Sequence, residues 1–310
     1  MKKEMNDIKV RMVRMEGDIA PFVEIAYVDK YAQDHTGLML LDSGSTVNIL
    51  SNEIADNIGE LCKIDDMATA ISSIAHGIMN TDNVRFSFAL GGKLFNDTFC
   101  ISTKPLPIHV KGMAIIGILG IQFLQRHRLV IDYDEFTLHT SDVSPNNLSV
   151  SDCDFFFPME IGLKFYGVPV LSVKQNGKEL VTLVDTGATG NMMAEQALVD
   201  NKFKCYRFKG NDVMIGVTGE VDVEEAYVRF NMVSLDCDDV CEISHCDYFW
   251  LLPYNVFTPK EGVCDTNGEQ LPPIEVLIGS PFMAKEGWVL DFGACIIYKL
   301  KDENDFREAV

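Results

Sequence analysis

Apolar residues in this chain recur in short runs and in simple alternation, the pattern of strands rather than of long helices. Ile8, Val10 and Met12 alternate with Lys9 and Arg11, which predicts a half-buried strand near the start. FVEIAYV, GLMLL, NVRFSFAL, LVIDY, TLHT, VPVLSV and ELVTLV are rich in β-branched and aromatic residues and end at turn signals. Each predicts a strand. Helical spacing is confined to NILSNEIADNIG and NMMAEQALVDN, with QFLQRHR and PFMAKEG as two further short helices. A mostly β protein with short helices follows.

The pattern also repeats. Residues 38–50 read LMLLDSGSTVNIL and residues 181–193 read VTLVDTGATGNMM. Further on, NVRFSF at 83–88 faces YVRFNM at 227–232, and ILGIQFL at 118–124 faces LIGSPFM at 277–283. LVIDY at 129–133 faces WVLDF at 288–292. Landmarks in the same order mark a duplicated unit. The extra length of the second copy falls between Asn231 and Val276, and the polar, turn-forming stretch at 141–154 reads as the linker. The expected organisation is two homologous β-barrel-like lobes. One spans 1–145 with a DSG motif; the other spans 146–310 with a DTG motif and a Cys-rich insertion at about 233–273.

Composition narrows the function. The chain has 310 residues, enough to bury a large core without staples. Its net charge of −20 argues against nucleic acid or an anionic membrane as partner, because both repel an acidic surface. The excess acid is uneven: residues 1–150 hold 13 basic and 19 acidic residues, residues 151–310 hold 13 and 27. No apolar run approaches the ~18 residues of a membrane helix. The start, MKKEMNDIKVRM, lacks the apolar core of a secretory signal. Nine cysteines cannot all pair within one chain. A cytoplasmic protein is therefore expected, with an exported protein whose leader has been removed as the alternative.

Cys62, Cys100, Cys205 and Cys295 lie in apolar or mixed surroundings and read as small buried hydrophobes. The insertion is different, since DCDDVCEISHCDYF brings Cys237, Cys241, His245 and Cys246 together, with Cys264 beyond. A zinc ligand set, a disulfide from Cys237 or Cys241 to Cys264, and free thiols are all open readings. The spacing is not a usual finger pattern, and neither metal nor cofactor is expected.

The chemistry lies in the duplicated Asp motifs. LMLL and LVTLV are runs buried on both faces of a sheet. An Asp ending such a strand is dehydrated and rigidly held. Gly44 and Gly187 permit a sharp turn whose backbone N–H groups can donate to the carboxylate. Ser43 and Thr186 add hydroxyls able to bind the backbone of the opposite copy. If the copies pack about a pseudo-twofold axis, Asp42 and Asp185 meet, and two touching carboxylates share one proton. The ionised member can deprotonate a water while the protonated member polarises a carbonyl, which is amide hydrolysis without metal.

LDSGST and VDTGAT, with IIGILG and VLIGSPF, resemble the catalytic loops and apolar-apolar-Gly motifs of the aspartic peptidases. The resemblance covers both halves, from about residue 20 to about residue 300. It implies a bilobal pepsin-like acid protease fold built from two retropepsin-like units, acting on a polypeptide substrate as a monomer. It implies Asp42 and Asp185 as the catalytic pair, with Ser43, Gly44, Ser45, Thr186 and Gly187 supporting them. Gly117 or Gly120, and Gly279, would sit behind the loops. The chain departs from the pattern in two places. Ala188 stands where the first copy has Ser45, so the hydroxyl expected to donate to Asp42 has no counterpart at Asp185. That predicts a dyad titrating high and activity at mildly acidic to near-neutral pH. The pepsin-like flap tyrosine has no equivalent in ISSIAHGIMN at 71–80. His76 and Gly77 there, and Gly219 in IGVTG, are the candidate flap and substrate contacts. Asp132 and Asp291 recur between copies and read as structural. The alternative function is a catalytically inactive peptide-binding or regulatory protein of the same fold.

Overall fold

The computed structural model describes residues 8–15, 18–58, 63–72, 78–102, 109–110, 112–141, 153–161, 167–210, 212–216, 219–235, 240–258, 268 and 270–301. The first lobe runs β1 (Lys9–Arg11), β2 (Val13–Met15), β3 (Asp18–Val28), β4 (Asp34–Asp42), β5 (Ile49–Ser51), α1 (Asn52–Ile58), β6 (Lys63–Ser72), β7 (Ile78–Leu90), β8 (Lys93–Ser102), β9 (His109–Val110), β10 (Met113–Gly120), α2 (Ile121–Arg126), β11 (Leu129–Asp132) and β12 (Thr137–Thr140). The second runs β13 (Cys153–Pro158), β14 (Glu160–Ile161), β15 (Pro169–Gln175), β16 (Lys178–Asp185), β17 (Asn191–Ala194), α3 (Glu195–Asp200), β18 (Lys204–Arg207), β19 (Asp212–Gly216), β20 (Gly219–Leu235), β21 (Val240–Leu252), β22 (Val276–Gly279), α4 (Ser280–Glu286), β23 (Val289–Asp291) and β24 (Ile296–Leu300). The protein is mostly β, with two closed six-stranded barrels and few, short helices.

Each barrel closes the same way. In the first, pairing runs β3-β4-β10-β5-β8-β7 and returns from β7 to β3 through Ala26 and Ala89. In the second it runs β15-β16-β22-β17-β21-β20 and returns to β15. Closure leaves these strands no open edge. The strands carrying the aspartates lie parallel to β10 and β22, whose runs IIGILG and VLIG are buried almost throughout. Phe86, Phe88, Phe99 and Phe123 fill the first barrel; Phe230, Phe249, Phe282 and Trp288 fill the second.

A third sheet joins the lobes, in the order β1-β12-β11-β23-β24-β13, three strands from each copy. Its central register sets Val130 against Asp291, Ile131 against Leu290 and Asp132 against Val289. Since Val130, Ile131 and Asp132 correspond to Val289, Leu290 and Asp291, the pairing is unchanged when the copies are exchanged. A pseudo-twofold axis therefore passes between Ile131 and Leu290. Asp132 and Asp291 hold turns here: Asp132 accepts the Glu135 N–H, and Asp291 accepts those of Gly293 and Ala294 and the Ser141 hydroxyl.

Three sequence expectations need correction. First, NVRFSF and YVRFNM are not equivalent residue for residue. β7 meets β3 at Ala89 opposite Ala26, whereas β20 meets the corresponding Lys174 of β15 at Asn231. This sets Arg85 in the place of Tyr227, two residues from the sequence match. A slip of two preserves which side chains face the core, so the hydrophobic pattern cannot reveal it. Second, Cys205 is exposed, because β18 ends its sheet and all four of its residues are exposed. Cys100 is buried and Cys295 half-buried. Third, the Cys-rich insertion is partly barrel. β20 and β21 pair as far as Leu235 opposite Val240, which puts Cys241 and Cys246 on an ordinary strand. Cys62, Cys237 and Cys264 lie outside the described residues. Among those described, no helix is long and apolar enough to cross a membrane.

Candidate active site

Asp42 and Asp185 end β4 and β16, strands whose later residues are mostly buried. Each sits beside the last glycine of its parallel partner: Asp42 beside Gly120 and Asp185 beside Gly279. Of the two glycines expected behind the first loop, Gly120 is thus the counterpart of Gly279, and Gly117 lies three positions earlier, opposite Met39. A methyl group on Gly120 would strike the carbonyls of Ser45 and Val47, and one on Gly279 those of Ala188 and Gly190. The loops cross the glycines too closely for any side chain.

The loops meet reciprocally. The Ser43 N–H donates to the Thr186 Oγ1 at 2.9 Å, and the Thr186 N–H donates to the Ser43 Oγ at 3.0 Å. The Ser43 hydroxyl donates on to the Val184 carbonyl, and the Thr186 hydroxyl to that of Leu41, both at 2.7 Å. Both side chains are fully buried. Four hydrogen bonds, two in each direction, clamp one lobe's loop to the other's.

That clamp brings the carboxylates together. Asp42 and Asp185 hydrogen-bond each other. A methyl group on Gly44 would strike the Asp185 carboxylate, and one on Gly187 that of Asp42. Each carboxylate lies against the glycine of the opposite motif. The Ser45 N–H donates to Asp42 at 3.0 Å, and the Gly187 N–H to Asp185 at 2.8 Å. Burial, then the neighbouring Asp185 charge, hold the Asp42 carboxyl well above its usual range. Burial also raises Asp185, while the hydrogen bond from Asp42 and those from backbone N–H groups oppose the rise. Two buried carboxylates this close favour sharing a proton and titrate as a coupled pair. Asp185 is buried, whereas Asp42 is only half-buried.

Ser45 does not play the part expected of its hydroxyl. Its Oγ donates to the Val47 carbonyl at 2.8 Å, and only its backbone N–H reaches Asp42. The Ser45/Ala188 difference therefore removes no hydroxyl from a carboxylate. The raised titration rests on burial at both residues and, at Asp42, on the neighbouring Asp185 charge as well.

Two residues of the site were missed in the sequence. The Asn48 Oδ1 accepts the Gly120 N–H and its Nδ2 donates to the Thr98 carbonyl. Asn191 repeats this, accepting from Gly279 and donating to Tyr248. All four distances lie between 3.0 and 3.2 Å. The signal was present, since both motifs read Asp, hydroxyl, Gly and, six residues after the Asp, Asn.

Of the flap candidates, His76 and Gly77 lie outside the described residues. The strands leading to them, β6 and β7, form a hairpin whose last described pair is Ser72 and Ile78. Gly219 closes the corresponding hairpin of the second lobe opposite Gly216. In the insertion, His245 stacks on the core ring of Phe230 and meets Phe282, while Cys246 stands in the outer row beside Arg229. Neighbouring strand residues point to opposite faces, so these two cannot ligate one ion. Among the described residues no group of three or more His, Cys, Asp or Glu is placed to hold a metal. No protein-family model matches the chain, and no curated protein matches it.

Proposed function

We propose that the protein is an aspartic endopeptidase, a pepsin-like bilobal enzyme made of two retropepsin-like units, acting on polypeptides as a monomer without metal or cofactor. The observation that carries this is the buried carboxylate pair, each member seated on the other copy's glycine and held there by the Ser43–Thr186 clamp. A water between the carboxylates gives a proton to the ionised oxygen and attacks the peptide carbonyl. The protonated carboxyl hydrogen-bonds that carbonyl as its oxygen gains charge. A proton then passes to the leaving nitrogen, and the C–N bond breaks. Asp42, less deeply buried than Asp185, is the side from which water and substrate reach the pair.

The test is cleavage of an unfolded protein from about pH 3.5 to about pH 7.5, beside Asp42→Asn and Asp185→Asn. Wild-type cleavage lost in both variants is the expected result, with an optimum in mild acid or near neutrality. Folded wild type that cuts nothing across this range would instead favour an inactive peptide-binding protein. A stability readout accompanies the assay. Both folded pKa values lie above the ordinary 3.8. The pair therefore binds protons more tightly when folded, and its contribution is present at low pH and lost as pH rises through the raised values. Asp42→Asn should melt higher than wild type near neutrality, with the gap closing in acid.

A further inference from the structure

The outer face of the second barrel carries an aromatic row that the active site does not use. Pairing of β18, β20 and β21 sets Tyr206 opposite Tyr227 and Tyr227 opposite Tyr248. Phe208 extends the row, 5.2 Å from Tyr206 and 5.7 Å from Tyr248 between ring centres. The four residues are 68%, 40%, 52% and 36% exposed for Tyr206, Tyr227, Tyr248 and Phe208. One step along the strands on the same face stand Lys204 and Arg229, opposite each other. Both are exposed, and neither has an acidic partner among the described residues. Residues 202–209 read KFKCYRFK, four basic residues and no acidic one, in a chain of net charge −20.

Cross-strand aromatic pairs also stabilise sheets. The first lobe shows that this barrel does not need them. Asp97 and Asp247 correspond, each paired with the basic residue in the last turn of α2 or α4, Arg126 or Lys285. The positions equivalent to Tyr227 and Tyr248 are then Arg85 and Thr98, which pair with each other. An exposed aromatic row beside unpaired cations belongs to one copy only, so duplication and folding do not account for it.

The shape and charge select an occupant. Tyr206 and Phe208 meet at 77°, and Tyr227 and Tyr248 at 62°. Rings so tilted make ridges and notches rather than a flat platform for sugars or bases, and they suit side chains. Phenol hydroxyls and the adjacent cations favour carboxylates. The overall charge of −20 repels polyanions in proportion to their charge density, so it disfavours polyphosphates more than a peptide whose carboxylates alternate with apolar side chains. We propose that this face docks an extended acidic polypeptide, laid along the aromatic row with its apolar side chains between the rings and its carboxylates toward Lys204 and Arg229.

This does not rest on the peptidase reading and is tested by binding alone. The full chain carrying Asp42→Asn, which removes any cleavage of the probe, is titrated into fluorescein-labelled peptides of alternating Glu-Leu or Lys-Leu, read by anisotropy. The Glu-Leu peptide should bind and weaken with salt, and the Lys-Leu peptide should not bind. Tyr227→Ser/Tyr248→Ser and, separately, Arg229→Glu should each weaken binding about tenfold or more. Arg229→Glu should keep the wild-type melting temperature, and the double tyrosine variant, which loses the cross-strand ring contact, should melt only a few degrees lower, so binding is read well below both transitions. Equal binding of both peptides, binding of neither, or variants without effect would overturn the proposal. So would sedimentation showing self-association that Arg229→Glu abolishes, which would assign the face to a second copy of the chain.

Discussion

The two lobes share one plan and differ at a small set of places. Around the carboxylates nearly everything is duplicated: the loop clamp, the glycine against the opposing aspartate, and the asparagine bridging loop and barrel. Away from them the copies part. Tyr227 and Tyr248 replace Arg85 and Thr98 on the outer face, and the β20–β21 hairpin outgrows its counterpart. Where a group must touch both copies, a change in one breaks a contact in the other. Where it faces solvent, nothing in the second copy restrains it.

The strongest way to break this equivalence is to crowd the dyad from one side. Gly44→Ala would push on Asp185, and Gly187→Ala on Asp42. Neither carboxylate can retreat, because backbone N–H groups and its partner hold it. Displacement by a fraction of an ångström should lower cleavage at least about a hundredfold in both variants, measured as kcat/KM on one peptide. A large loss in only one would show that the two sides are not functionally equivalent.

The sequence revealed the duplication because Asp, Gly and hydroxyl residues are short-range requirements of one turn. Strand identities were legible for the same local reason, in runs such as LMLL and LVTLV. Closure of the barrels was not, since β3 meets β7 across some sixty residues and only Ala26 and Ala89 pair there. The six-stranded sheet joining the lobes was hidden too, being assembled from chain ends of both copies. Asn48 and Asn191 were visible as a repeat, but an Asn after a turn motif reads locally as a cap. Ser45 was assigned by its chemistry, yet its hydroxyl found a nearer carbonyl. Cys205 was misplaced because an apolar neighbourhood in sequence says nothing about lying on a sheet edge.

A smaller effect measures how evenly the asparagines serve. Asn48→Ala leaves the buried Gly120 N–H unpaired, and Asn191→Ala does the same to Gly279. Each should cost about 1–3 kcal/mol of unfolding free energy, read by denaturant titration. Because the two have the same partners at nearly the same distances, their costs should agree within about 0.5 kcal/mol. A wide gap would place more of the stability in one loop than the geometry indicates.

The smallest effect probes a polar contact that only one side has. The Tyr133 hydroxyl donates to the Ser280 Oγ at 2.5 Å, and the Ser280 hydroxyl donates to the Thr186 carbonyl at 2.6 Å. The duplicated positions hold Phe292 and Ile121, both buried and apolar. The fold therefore accepts either an apolar or a hydrogen-bonded pair at this point. Tyr133→Phe removes one donor but leaves Ser280 bonded to Thr186, so it should cost only about 1 kcal/mol. Ser280→Ala strips both the tyrosine and the Thr186 carbonyl of a partner and should cost more. The double variant should cost less than the two singles together, because the tyrosine contact can be lost only once. Strict additivity would mean that the three groups do not act as a chain, and that the link from Tyr133 to the loop beside Asp185 contributes nothing beyond its separate contacts.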